Sequence, residues 1–162
     1  MTTATVDVRL GRATSLDAAV LAENEARTFH TGARKRDAWR PVGYGSPSWH
    51  RRMAGEAYYY KIMLGELVVG GLIALRLDWD HFHVAQIWVD PAHQRRGIGS
   101  RALALLEGRF PQATRWTAEI PVWAVRRQRF FQRCGYRVVG RTADAVHVEK
   151  RRRGLLRFRS LG

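Results

Sequence analysis

The chain has 162 residues, enough for one domain, and 46% of them are hydrophobic, enough for a packed core. No run of about 18 uninterrupted apolar residues occurs, which argues against a helical membrane span, and the opening MTTATVDVRLGR lacks the apolar stretch of a secretory signal. Cys134 is the only cysteine, so an internal disulfide is excluded and a cytoplasmic location is expected. The net charge is +14, from 28 basic and 14 acidic residues, with only Lys35, Lys61 and Lys150 as lysines. Such a charge attracts phosphates, acidic substrates and nucleic acid alike. An arginine-rich composition also follows from GC-rich coding, so nucleic acid is not the favoured partner.

In chain order, Val6–Leu10 alternates as a first strand. Ser15 is placed to cap a helix to about Phe29, with Leu16, Ala19, Val20, Glu23 and Ala26 at helical spacing. Gly32–Gly45, broken by Pro41 and carrying Trp39 and Tyr44, reads as a loop, and Ser46-Pro47 starts a short helix to about Ala54. Ala57–Leu64 and Leu67–Leu77, separated by Gly65-Glu66, form a predicted hairpin, and Phe82–Val89 is the next strand. Tyr58, Tyr59 and Tyr60, with Trp39, Tyr44 and Trp49 before them, are expected to divide between the core and the wall of a binding pocket.

Asp90-Pro91 ends that strand, because proline cannot continue a ladder. Gln94-Arg95-Arg96-Gly97-Ile98-Gly99 follows, and then Ile98, Ala102, Leu105 and Leu106 mark a helix. Strand, basic glycine loop and helix make an anion cradle. The helix start offers unpaired N–H groups and a partial positive charge, and glycine admits a close backbone approach. Arg95, Arg96 and Arg101 add charge. A plain strand-to-helix turn with solvated arginines is the alternative. Trp116–Ile120 is a short strand, Val125–Arg133 a helix closed near Gly135 with Val125, Phe130 and Arg133 available to one face, and Arg137–Val139 and Ala145–Glu149 are closing strands. One domain over 1–150 and a basic tail over 151–162 are expected.

The segment IWVDPAHQRRGIGSRALALLE resembles the acetyl-CoA-binding motif of the GNAT N-acetyltransferases, with Gln94, Gly97 and Gly99 at its signature positions. The resemblance implies an α/β fold: a mixed central sheet of six to seven strands, splayed between its two central strands and flanked by about four helices. It implies that the backbone of Ile87, Trp88 and Val89 pairs with the pantetheine arm of acetyl-CoA, and that Gln94, Arg95, Arg96, Gly97, Ile98, Gly99 and Ser100 hold its phosphates. It is also compatible with a homodimer.

RRQRFFQRCGY matches the family's second motif, with two departures. Phe131 stands where a tyrosine commonly protonates the departing thiolate, and Ala124 or Arg127 stands where asparagine is usual. Arg127 and Phe131 are still expected to face the cosubstrate, Phe131 beside its sulfur. Glu119-Ile120-Pro121 resembles a family Glu-Thr-Pro segment, which implies that Glu119 lies at the splay and binds the acceptor ammonium or takes its proton. The alternative is a surface glutamate. His81 and His83 share a strand face and titrate near neutral pH, but a turn or rim position competes with a catalytic one. No third ligand stands at a recognisable spacing, so no metal is expected. Cys134 fits a core role.

The expected activity is transfer of an acetyl group from acetyl-CoA to a primary amine of a small molecule or peptide by direct attack in a ternary complex. Two rivals are an enzyme acting on aminoacyl-tRNA and a CoA-binding module without turnover.

Overall fold

The computed structural model describes residues 7–30 and 41–153. Val6 of the first predicted strand, Trp39, and most of the basic tail lie outside the described residues.

Among the described residues the sheet has seven strands. They are β1 (Val8–Arg12), β2 (Tyr58–Leu64), β3 (Leu67–Asp78), β4 (His81–Val89), β5 (Arg115–Pro121), β6 (Arg137–Arg141) and β7 (Ala145–Arg151), in spatial order β1-β2-β3-β4-β5-β7-β6. Among the described residues four α-helices flank them: α1 (Ala18–His30), α2 (Pro47–Glu56), α3 (Ile98–Arg109) and α4 (Val125–Arg133). This is the expected mixed α/β architecture.

Local sequence explains most element ends. The Ser46 side chain accepts from the Trp49 N–H and Pro47 occupies the first turn of α2. Gly65, at φ 56°, supplies the left-handed residue of the β2–β3 hairpin. Asp90 caps the short turn Pro91–His93 through Ala92 N–H.

The first helix departs from its predicted face. A Thr14 cap and a single 3-10 turn, Ser15–Asp17, precede α1, with Asp17 and Thr14 forming a capping box. Leu16 is 91% exposed and Val20 half-exposed, whereas Ala18, Leu21, Ala22, Asn24 and Glu25 are buried. The polar pair faces inward because it has buried partners elsewhere in the chain. In α3 the buried stripe is Ile98, Ala102, Leu103 and Leu106, and Leu105 points partly to solvent.

Two cores sandwich the sheet. One face packs against α3 and α4 through Phe82, Val84, Ile87, Leu103, Leu106, Trp116, Phe131 and Val148. The other packs against α1 and α2 through Leu21, Tyr59, Ile73 and Trp88. Strand alternation fixes the rest. Val146 and Val148 face the α3–α4 side, so His147 and Glu149 face the other, beside Thr117 and Glu119. Among the described residues α1 and α2 cover the β2–β4 half of that face; Glu119 is exposed beyond them, and His83 and His147 are partly buried.

The splay is real. β4 and β5 run parallel and pair only from His81↔Arg115 to Val84↔Ala118. A bulge at that point in β4, where Val84 opposes Ala74 but Gln86 opposes Ile73, bends the strand away. β5 continues to pair with β7 as far as Pro121↔Ala145. The expected boundary at residue 150 falls inside β7, and Arg152 is tied down by bonds to Phe110 O (2.9 Å) and Ala113 O (3.2 Å).

Candidate active site

Beyond Val84, no strand among the described residues pairs with β4 on its β5 edge. Asp90 N–H donates to Val69 O at 2.7 Å, so Asp90 and Trp88 turn their peptide groups toward β3. Those of Ile87 and Val89 therefore face the splay. Side chains meet their carbonyls there: Arg127 Nη2 donates to Ile87 O at 3.0 Å and Gln94 Nε2 to Val89 O at 2.8 Å. The opening continues into a cavity of about 310 Å³ between β4, the start of α3 and α4. Such a cleft offers an extended amide-bearing ligand the edge of a strand to pair with.

The loop before α3 shapes the other end. Arg95 and Gly97 both have left-handed backbones, at φ 65° and 74°. Left-handed turns of this kind aim successive N–H groups to one side and make anion-binding concavities. Arg95 is strained there, as a non-glycine, and such strain concentrates at functional sites. Gly97 caps α3 without a side-chain bond, so the first-turn N–H groups of α3 have no cap of their own. Ile98, Gly99 and Ser100 line the cavity at that point.

α4 forms the opposite wall with Arg126, Arg127, Phe130 and Arg133. The Arg127 guanidinium also lies 5.9 Å from the Phe29 ring. Burial lowers its pKa to about 10, with Glu25 pulling the other way, and it remains a cation at neutral pH. The neighbouring phenylalanines divide differently from expectation. Phe130 lines the cavity, whereas Phe131 is 1% exposed and packs edge-on against Tyr136 at 5.1 Å. Phe131 therefore belongs to the core, because the inward face of α4 must cover β5 and β7. Tyr136 supplies no acid here either, since its hydroxyl donates to Glu107 in α3 at 2.9 Å.

Behind the cavity a polar network locks α1 to β4. Trp88 Nε1 donates to Asn24 Oδ1 (2.9 Å), Asn24 Nδ2 to Asp90 Oδ2 (3.0 Å), and Arg27 donates to the same carboxylate oxygen (2.9 Å). Burial alone would raise Asp90, but the Ala92 N–H and Arg27 outweigh it and hold the carboxyl below its ordinary value. This network sets Thr28, which lines the cavity and bonds Val89 O at 3.4 Å.

Glu119 is the first β5 residue past the last β4 pair and faces His147 across the β5–β7 ladder. It is exposed on the α1–α2 face of the sheet and does not line the cavity. The cavity brings together Ile87, Trp88, Val89, Gln94, Arg95, Gly97, Ile98, Gly99, Ser100 and Arg127 of the predicted residues. Arg96 is exposed outside it, and Phe131 lies beneath it. Sequence reasoning missed Thr28, His93, Arg126, Phe130 and Arg133 as lining residues. The spacing of Arg126, Phe130 and Arg133, one helix face, was the available signal; for Thr28 there was none.

A seven-stranded mixed sheet splayed beside a glycine-loop helix start is the arrangement that the sequence resemblance implied. Residues 19–136 match the family model "Acetyltransferase (GNAT) family", and the chain belongs to that family. It is 33% identical over 81 residues to a blasticidin-S acetyltransferase of Streptomyces morookaense, an alignment covering 49% of this chain and 58% of that protein. The chain thus spans only about half the length of the curated relatives it matches. Among solved structures, the PaiA N-acetyltransferase of Thermoplasma acidophilum, in complex with coenzyme A, superposes with TM-score 0.78 at 11% identity, over 90% of this chain and 99% of that one. A ribosomal-protein-S18-alanine N-acetyltransferase of Escherichia coli gives 0.71 at 15% identity, over 90% and 94%. These two likenesses establish the fold. Among the described residues, no helix is long and apolar enough to cross a membrane.

Proposed function

We propose that this protein transfers an acetyl group from acetyl-CoA to a primary amine of a small molecule or peptide, by direct attack with both substrates bound. The observation that carries the reading is the splay cavity, which joins the β4 edge at Ile87 and Val89, where no described strand pairs, to the arginine-flanked start of α3. The residues present fit coenzyme A. The strand edge suits the amides of the pantetheine arm. The N–H groups of the α3 start, with Arg95, Arg126 and Arg133 near them, suit its phosphates. Bound there, acetyl-CoA supplies an activated thioester.

The protein's own groups orient that thioester and manage charge. The Ile87 N–H shares its edge with Ile87 O and is placed to donate to a carbonyl oxygen that gains negative charge. Arg127 sits at the same carbonyl and offers a cation to a departing thiolate. Thiolates leave readily, since a free thiol has a pKa of about 8.5, so a chain with Phe131 instead of tyrosine is not disabled. Glu119, just past the last β4–β5 pair, binds the acceptor ammonium. The named relative that acts on blasticidin S favours a small-molecule acceptor. A thiol-release screen with acetyl-CoA against small amines, amino-terminal peptides and aminoacyl-tRNA tests the reading. Release with a small amine or peptide supports it. Release with charged tRNA alone, or CoA binding with no release, refutes it.

A further inference from the structure

Helix α1, which reaches the cavity through Thr28, carries a fully buried carboxyl group bonded through only one of its oxygens. Glu25 Oε1 accepts from the Gly45 N–H at 3.2 Å and lies 3.1 Å from His50 Nε2. The His50 ring is held in turn by the Tyr59 hydroxyl, 2.5 Å from its Nδ1. Glu25 Oε2 is buried without a partner. A buried carboxyl oxygen without a donor is costly, and folded proteins keep few of them. Among the described residues one other buried side-chain oxygen shares this condition, Gln86 Oε1.

A cation stands close by, bonded elsewhere. Glu25 and Phe29 are one helical turn apart and share a face of α1. The Arg127 guanidinium lies 5.9 Å from the Phe29 ring, and Glu25 acts on its charge. Its hydrogen bond goes instead to Ile87 O, at 3.0 Å. That is the distance at which a neighbouring strand, or an extended amide arm, would place its own N–H. Arg127 therefore stands at the pairing position proposed for the pantetheine arm. Gln94 does the same at Val89 O, but it is exposed and returns to water when displaced. Arg127 is partly buried, and an arm filling the cleft would shut it from solvent. Displaced without a new acceptor, it would lose a charge-assisted bond. Gln86 Oε1 is neutral, and its amide is tied through Nε2 to Val42 O at 3.1 Å. A carboxylate makes the stronger bond to a guanidinium.

We infer that Glu25 is a positioning residue for the cosubstrate: when the pantetheine arm takes Ile87 O, Arg127 turns an N–H to Glu25 Oε2. The inference rests on the coenzyme A reading above. A guanidinium has five N–H donors, so Arg127 pivots over Phe29 and keeps others directed into the cavity. The cation thus stays beside the sulfur while the strand edge is handed over. The new pair ties α4 to α1 across the splay, and Glu25 Oε1 extends the tie to Gly45, just ahead of α2. Cosubstrate binding thereby draws together the walls that flank the splay.

Two measurements test this on the full chain. A crystal structure of the wild-type protein with CoA is expected to show an Arg127 nitrogen within about 3.2 Å of Glu25 Oε2, and a pantetheine N–H on Ile87 O. Arg127 still on Ile87 O, or moved to Gln86 Oε1, overturns the inference and leaves the coenzyme A reading standing. CoA bound away from the β4 edge, or not bound at all, removes that reading and the inference with it. Calorimetric titration with CoA then isolates the pair in solution. Glu25→Gln is expected to weaken CoA binding by about tenfold or more, the size of one charge-assisted hydrogen bond. In an Arg127→Met background the same substitution is expected to change affinity by no more than about twofold. An equal loss in both backgrounds would make Glu25 only an anchor for His50 and Gly45, and overturns the inference, as does wild-type affinity in Glu25→Gln. Should Glu25→Gln not fold, the wild-type complex decides alone.

Discussion

Gly99→Glu separates folding from binding at the α3 start. Gly99 is the second residue of α3 and has no left-handed backbone to protect. An added Cβ would lie 3.2 Å from Phe130 Cε2 and 3.7 Å from Val89 Cγ2. Phe130 is only partly buried, so its ring can give the few tenths of an ångström required. Replacing glycine within a helix gains about 0.5–1 kcal/mol of propensity. A carboxylate in the first turn gains about 0.3–1 kcal/mol from the helix dipole. The variant should therefore melt at or above the wild-type temperature. Binding should collapse, because the new carboxylate faces the proposed phosphate position. At about 5 Å and an effective dielectric of about 20, one pair of like charges repels by about 3 kcal/mol. That weakens affinity by on the order of 100-fold, and added salt should recover part of it. Gly97→Ala is the contrast. No atom lies within 4 Å of its added Cβ, but φ is 74°, so it should lose about 1–2 kcal/mol of stability through strain alone. Calorimetric titration with CoA and thermal melts read both quantities. Wild-type CoA affinity in Gly99→Glu would refute the placement of the phosphates at this helix start.

Glu119→Gln should lower turnover and move its pH dependence downward with CoA affinity unchanged, because the amide keeps the shape but no longer favours the charged form of the acceptor ammonium; an unaltered pH–rate profile would make Glu119 an ordinary surface residue. Phe131→Tyr should destabilise by about 1–3 kcal/mol, the cost of a buried hydroxyl without a partner. At about 2–4 °C per kcal/mol for a chain of this size, a thermal melt resolves it, and an unchanged melting temperature would mean that the ring reaches the cavity after all. Arg152→Ala should lower the melting temperature by a few degrees, because it removes donors to Phe110 O and Ala113 O at about 1 kcal/mol each, whereas truncation after Arg153 should leave small-amine acetylation unchanged; equal melts for Arg152→Ala and wild type would show that this anchor adds nothing.

The elements that depend on neighbours in sequence were legible from the chain. Ser46-Pro47 starts α2, Gly65 turns the hairpin, Asp90-Pro91 closes β4, and the Gln94–Gly99 loop opens α3. Each rests on a backbone preference or a cap formed within three or four residues. For the same reason the cosubstrate loop could be marked before any fold was known, because its glycines and helix start are contiguous.

What long-range packing settles was not legible. The polar pair Asn24 and Glu25 turns inward, and Leu16 outward, because Trp88, Asp90 and His50 provide buried partners tens of residues away. Phe130 and Phe131 are adjacent and chemically alike; only the position of α4 over β5 and β7 assigns one to the cavity and the other to the core. Thr28 reaches the site through the Asn24–Asp90 lock, and the hydroxyl of Thr117 meets two histidines because β4 and β5 pair in one particular register. Spacing along a chain sets the period of each element. The face it buries, and the side chains it brings to a site, follow from where distant elements leave a partner or a gap.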